Sequence, residues 1–259
     1  MNNTIFILNT VSPIFMIVAI GWILRKRNII NESFIKQSTN FVFKITIPVL
    51  VFIKLESVDF IELFDSNIII IIYSGMLFTF FLAWTISILL IKKGTGRGVF
   101  IQGSFWPNNV ILGLALVINI FGEIAVSKMI MILVFLLPLQ YTLSVIALTL
   151  SDNTEKRSKA VARMIKSIIT NPIIISAFLA IIFSLISVKL PSVLINTGNY
   201  LAAITLPLAL IGLGGSLRIK QLRSLSIITI GSSILKLLIS PIIATTAGYF
   251  IGYRGADLG

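Results

Sequence analysis

Residues 67–91 read NIIIIIYSGMLFTFFLAWTISILLI, a run with no charged side chain between Asp65 and Lys92. As an α-helix rising 1.5 Å per residue it would reach about 36 Å, more than the roughly 30 Å of a bilayer's hydrocarbon core. A helix apolar on every side has no face for water, so lipid or other apolar helices must surround it. Similar runs lie on both sides of it, near residues 4–24, 35–53, 98–121, 124–149, 169–188, 192–215 and 224–252. The expected fold is an all-α integral membrane protein, a polytopic bundle of about eight transmembrane helices joined by short polar loops.

Composition agrees. The 259 residues are 57% hydrophobic and 12% charged, with a mean hydropathy of +1.04. A soluble domain carries about a quarter charged residues. Cysteine and histidine are both absent, which removes disulfides, thiolate nucleophiles, imidazole bases and the usual zinc ligands together. No cofactor and no metal site is expected. The first apolar run is not a cleavable leader, because Met1 to Thr4 carries no positive charge and Arg25-Lys26-Arg27 follows the run instead of preceding it.

The formal charge is +12, but the basic residues sit between apolar runs, with no basic helix face expected, so they read as topology signals and not as a nucleic-acid surface. One alternating set of loops holds Arg25, Lys26, Arg27, Lys36, Lys92, Lys93, Arg97, Lys156, Arg157, Lys159, Arg163, Lys166, Arg218, Lys220 and Arg223. The opposite set holds only Lys54, Lys128, Lys189 and Arg254, together with the acids Glu56, Asp59, Glu62 and Asp65. Basic residues gather on the cytoplasmic side. The expectation is a multi-pass protein of the plasma membrane with its N-terminus outside.

An internal repeat is also expected. Pro13 and Pro48 stand 35 residues apart, as do Pro172 and Pro207. A shift of 159 residues superimposes both pairs, and lays Ile45-Thr46-Ile47-Pro48 on Ile204-Thr205-Leu206-Pro207. The repeat unit, residues 1–150, would hold five helices. That number is odd, so the second copy, residues 151–259, must be inverted in the membrane, a construction common among secondary transporters. On this offset the second copy has three helices of five.

Several stretches together resemble the auxin efflux carrier family of permeases, whose members include plant auxin exporters and bacterial dicarboxylate carriers. They are Val11-Ser12-Pro13 through Gly21 with Arg25-Lys26-Arg27, Phe43 to Phe52 around Pro48, and Asn108 to Gly113 ahead of Phe121-Gly122. Later come Asn171-Pro172, Leu206 to Leu210 leading into Gly212 and Gly214 to Leu217, and Lys236 ahead of Pro241. The resemblance covers essentially the whole chain. It implies two inverted five-helix repeats, with helices 4 and 9 interrupted and crossing near the substrate, and helices 1, 2, 6 and 7 as a scaffold. Two departures stand out. Leu114 and Ala115 follow Gly113 where the family usually has its crossover proline, and helices 9 and 10 of the family's ten are not in this sequence.

Candidate site residues follow from polarity at depth. Pro107 removes a backbone donor within an apolar run and frees carbonyls where no water is available. Asn108 and Asn109 come straight after it, and their N–H groups could face an anion. Lys236 lies about 20 Å from Arg223, and Lys44 about 12 Å from Lys36, by helical rise. A lysine at the centre of a span costs about 2.5–3.5 kcal/mol on insertion scales, so it faces a cavity or a partner. Against these stand blander readings: a kink with asparagines bonded across helices, and lysines that snorkel or pair with freed carbonyls. Pro107, Gly113, Pro48 and Pro207 are the expected helix-break or hinge positions. All the acids fall in loops, which favours an anionic substrate over a cation.

The leading expectation is a secondary carrier for a small organic anion, a carboxylate or dicarboxylate, with this chain alone giving little or no coupled transport. Its partners would be the bilayer and the anion, with proton or sodium coupling and a homodimer left open. An enzyme has no candidate nucleophile, base or metal set. A non-transporting remnant or assembly partner is the alternative.

Overall fold

The computed structural model describes residues 3–56, 64–92, 94–151, 157–186, 190–218 and 226–253. All regular structure among them is helical. We number the helices by span. They are α1 (Asn3–Lys26), α2 (Glu32–Glu56), α3 (Ser66–Leu90), α4 (Gly96–Phe121), α5 (Glu123–Ser151), α6 in two pieces, α6a (Arg157–Ile169) and α6b (Pro172–Leu185), α7 (Ser192–Ser216) and α8 (Ile227–Ile251). Among the described residues six helices are long and apolar enough to cross a bilayer, or seven if the two pieces of α6 make one broken span. The remaining expected span, α1, is 24 residues long.

Local chemistry explains the helix ends. The Asp65 carboxylate accepts from Asn67 N at 2.9 Å and Ile68 N at 3.4 Å, capping α3. Asn31 caps α2 by accepting from Phe34 N at 2.8 Å. Asn171 caps α6b by accepting from Ile173 N at 2.9 Å, with Pro172 in the first helical position. Gly252, at φ 108°, closes α8, and Tyr253 N then donates to Gly248 O at 3.0 Å.

Four spans are irregular inside. Turns of π-helix occupy Val42–Thr46 in α2, Asn109–Gly113 in α4 and Leu235–Ile239 in α8, and α7 breaks at Ile204. Two of these have one cause. Pro48 and Pro241 each follow a π-turn by two residues. A proline ring collides with the carbonyl four residues back, and a widened turn makes room for it.

The chain forms two compact units, and neither coincides with residues 1–150 or 151–259. The first contains Met1–Phe64, Asn108–Val134 and Asn171–Ile219. Within it α1 packs on the second half of α7, Thr205–Ser216, and α6b packs on the second half of α2, Ile47–Glu56. The first halves of α2 and α7 each pack on the second half of the other. Glycines set the closeness of these crossings. A β-carbon at Gly214 would run into the Val18 carbonyl oxygen, and one at Gly21 into that of Ile211. Phe52 meets Phe183 edge to face, with ring centroids 5.5 Å apart. Thr46 and Thr205 are wholly buried, each donating to the carbonyl four residues back, Val42 O and Leu201 O.

The second unit contains Asp65–Pro107, Phe135–Thr170 and Lys220–Gly259. Here α3 packs on the first half of α4, Thr95–Phe105, with Phe80 against Phe105 at 5.4 Å. Gly103 and Gly231 bring α8 against the same half-helix. Arg97 closes the end of α3 by donating to Ile91 O at 2.6 Å, and Tyr253 ties the end of α8 to the start of α3 by donating to Asp65 Oδ2 at 2.6 Å.

One expectation needs correcting. Residues 157–166, read from the sequence as loop with no basic helix face, belong to helix α6a, and Lys159, Arg163 and Lys166 share one exposed side of it. Its four basic residues mask an apolar stripe at helical spacing, so hydropathy alone passes over it. Other topology markers, Asp59, Glu62, Lys156, Lys220 and Arg223 among them, lie outside the described residues.

Candidate functional site

The fourth span opens where its sequence demands. The last regular bond of its first half is Trp106 N to Gln102 O at 3.1 Å. Trp106, Pro107 and Asn108 are then non-helical, with Asn108 at φ −90° and ψ 63°. Helical bonding resumes through Gly113 N, which donates to Asn108 O at 3.1 Å. Proline supplies no N–H and holds the residue before it out of the helix, so the unwound stretch leaves carbonyls, that of Trp106 among them, without helical donors at a depth where water is scarce.

Within the second unit one of those carbonyls has found a cation. The Lys236 ammonium donates to Trp106 O at 3.4 Å, and the lysine is half-buried in the π-turn of α8. The widened turn follows from Pro241, so two prolines prepare the two ends of this bond. Around it the Trp106 ring stands edge to face on Tyr141, 5.3 Å between centroids. Gln102 donates to Ser144 Oγ at 2.6 Å. Gln140 is 1% exposed, and its amide nitrogen has no hydrogen-bond partner among the described residues. The neighbourhood is aromatic and amide-rich.

Asn108 and Asn109 belong to the first unit, the former exposed and the latter half-buried. Gly113, whose α-hydrogens face Met129, ends the π-turn they begin. The same unit holds an open cleft of about 400 Å³, lined among others by Pro13, Lys54, Asn119, Asn199 and Pro207. Asn119 donates to Ala115 O at 2.7 Å, and Ser127 donates to Lys54 O at 2.9 Å. Of the expected positions only Pro207 lines this cleft. Pro48 is half-buried, and Lys44 is exposed, away from the cleft lining.

Trp106, Tyr141 and Lys54 were not legible as site residues. The aromatics look like ordinary span composition, and Lys54 reads as a loop charge at the end of α2. The one available signal was Trp106 standing immediately before Pro107, since the residue before a proline is pushed out of helical backbone and its carbonyl turns away from the helix axis.

Residues 6–258 match the family described as membrane transport protein. An uncharacterized transporter of Methanocaldococcus jannaschii, MJ1031, is 25% identical over 263 residues, covering 96% of this chain and 82% of its own length. With a broken spanning helix, a cation at the break and this family match over nearly every residue, the chain belongs to the membrane transport protein family, the auxin efflux carrier permeases that its motifs resemble, and is a multi-pass membrane transporter.

Proposed function

We propose that the protein is a secondary carrier of a small organic anion, a carboxylate or dicarboxylate, across the plasma membrane, with its N-terminus outside. The observation that carries this is the half-buried Lys236 ammonium resting on the Trp106 carbonyl at the break of α4. A neutral carbonyl is a weak partner for an ammonium at 3.4 Å. A carboxylate arriving there would replace it with a charge-assisted bond. Asn108 and Asn109 come straight after Pro107 in the sequence and carry amide donors of the kind that hold anions in broken-helix carriers. No acid lies mid-span in the sequence, so nothing fixed competes with the substrate for the lysine.

The test is counterflow of a panel of short mono- and dicarboxylates in vesicles carrying the purified protein, where saturable uptake would overturn the expectation of little or no coupled transport by this chain alone. Lys236→Ala should cut uptake by roughly ten- to hundredfold, the equivalent of about 1.5–3 kcal/mol for a bond to a charged group. Lys236→Arg should keep part of it. Unchanged uptake in Lys236→Ala would remove Lys236 from the site. Uptake confined to cations or neutral solutes would remove the anion reading altogether. Proton and sodium ionophores in the same vesicles distinguish the coupling ion.

We also propose that residues 1–150 and 151–259 are inverted repeats. Under the 159-residue shift, the packing of α1 on the second half of α7 becomes that of α6b on the second half of α2. The bonds of Thr46 and Thr205 exchange in the same way. Spin labels at residues 48 and 207 reporting unrelated bilayer depths would overturn it.

A further inference from the structure

We propose that α6a is an interfacial helix that recognises anionic lipid headgroups. Arg157–Ile169 reads RSKAVARMIKSII, with four basic residues and no acid. At 100° per residue, Val161, Met164, Ile165 and Ile168 fall on one side, with Ile169 at its edge and Arg157 at the helix start, while Lys159, Arg163 and Lys166 fall on the other. Residues of both sides are exposed. Val161, Ile165 and Ile169 are 47%, 48% and 66% exposed, and Lys159, Arg163 and Lys166 are exposed as well.

Neither bulk phase suits such a helix. In the hydrocarbon core the cations would lack water. In water the isoleucine and valine stripe would stay hydrated, against the hydrophobic effect. The bilayer interface satisfies both faces at once, the apolar side sunk at the acyl boundary and the basic side among headgroups. The sequence also separates this helix from the hydrophobic span that follows. Asn171 caps a new helix, and Pro172 cannot donate into the old one, so α6a ends there as a helix of its own. Charge selects the lipid. A helix of four cations and no anions matches phosphatidylglycerol-type headgroups and has no electrostatic preference for zwitterionic ones.

The chain has no native cysteine, so Ile165→Cys carries an environment-sensitive fluorophore at a single place. The full-length protein is reconstituted in phosphatidylcholine alone and in phosphatidylcholine doped with phosphatidylglycerol. In the doped vesicles the label should emit to the blue and react with aqueous dithionite several-fold more slowly. High salt should reverse the difference, since headgroup attraction is screened. Adding Lys159→Gln, Arg163→Gln and Lys166→Gln should make the doped vesicles behave like the neutral ones. A label protected equally in both lipids, or in detergent without lipid, would mean that α6a packs on protein or is held by its apolar face alone, and would overturn the proposal. A label exposed in both would overturn it too. The lipid comparison needs no charge variant, so a folding defect in the triple glutamine protein leaves the test intact.

Discussion

Gly214 has only hydrogen where any other residue would have a side chain, and the Val18 carbonyl of α1 takes that space. The contact is backbone on backbone, so a methyl group there has no flexible neighbour to push aside. Gly214→Ala should separate the helices at a cost of about 1–3 kcal/mol, the usual penalty for overpacking. Thermal unfolding of the detergent-solubilised protein should show a clearly lower midpoint. Gly96→Ala is the control, because a β-carbon there would meet only Ile228 Cδ1 at an ordinary 3.6 Å. Equal midpoints for both variants would mean that the α1–α7 crossing is looser than drawn. The opposite expectation holds for Glu32, whose carboxylate meets Arg25 at 3.1 Å and Arg218 at 3.4 Å. Glu32 and Arg218 are exposed and Arg25 is about one-third exposed, so solvent screens the pairs and Glu32→Gln should change stability by less than about 1 kcal/mol. A larger loss in the same melting assay would show that the pair is better shielded from water than its exposure indicates.

Breaks in spans differ in how plainly a sequence announces them. The opening of α4 was readable because Pro107 stands mid-run with two asparagines behind it, three residues that a continuous apolar helix does not want. Pro48 and Pro241 stand two residues past the irregular turns of α2 and α8, but the form these take, π-turns at Val42–Thr46 and Leu235–Ile239, was not readable. In a span apolar on all sides, hydrophobic periodicity carries no phase, and a one-residue slip in bonding leaves no mark on composition. Helix α6a failed for the converse reason: its charges suggested a loop while its stripe of Val161, Ile165 and Ile168 had the period of a helix. The break itself yields a prediction. Pro107→Ala restores an N–H and removes a clash worth about 3 kcal/mol or more in a helix interior, so the span should close up and the protein should melt no lower than wild type. Closing it takes the backbone N–H groups of Asn108 and Asn109 into helical bonding, where they are lost as donors to an anion. Anion uptake in vesicles should therefore fall severalfold while stability holds. Full uptake by the Pro107→Ala protein would show that the unwound residues are incidental to transport.

For the molecule as a whole, what was legible was the membrane itself, because runs such as residues 67–91 admit no other solvent. The grouping of helices into two units was not legible, since each unit takes helices from both halves of the chain, and contacts between distant apolar runs leave no signature in either run. Topology lies between these cases. The basic residues divide unevenly between the two sets of loops, which is how cytoplasmic and external sides are distinguished. The weak point is α4, because a broken apolar helix can cross the bilayer or fold back as a re-entrant hairpin, and composition alone does not tell the two apart. Ser66, at the start of α3, and Ser158, in α6a, bracket the question. Between them lie α3, α4 and α5. Three crossings put the two serines on opposite sides; a re-entrant α4 leaves two crossings and puts them on the same side. With no native cysteine in the background, Ser66→Cys should react with a membrane-impermeant maleimide on intact cells, and Ser158→Cys only after the membrane is opened. If both label on intact cells, or neither does, α4 does not span, and the placement of Lys236 and the Trp106 carbonyl on a route through the bilayer falls with it.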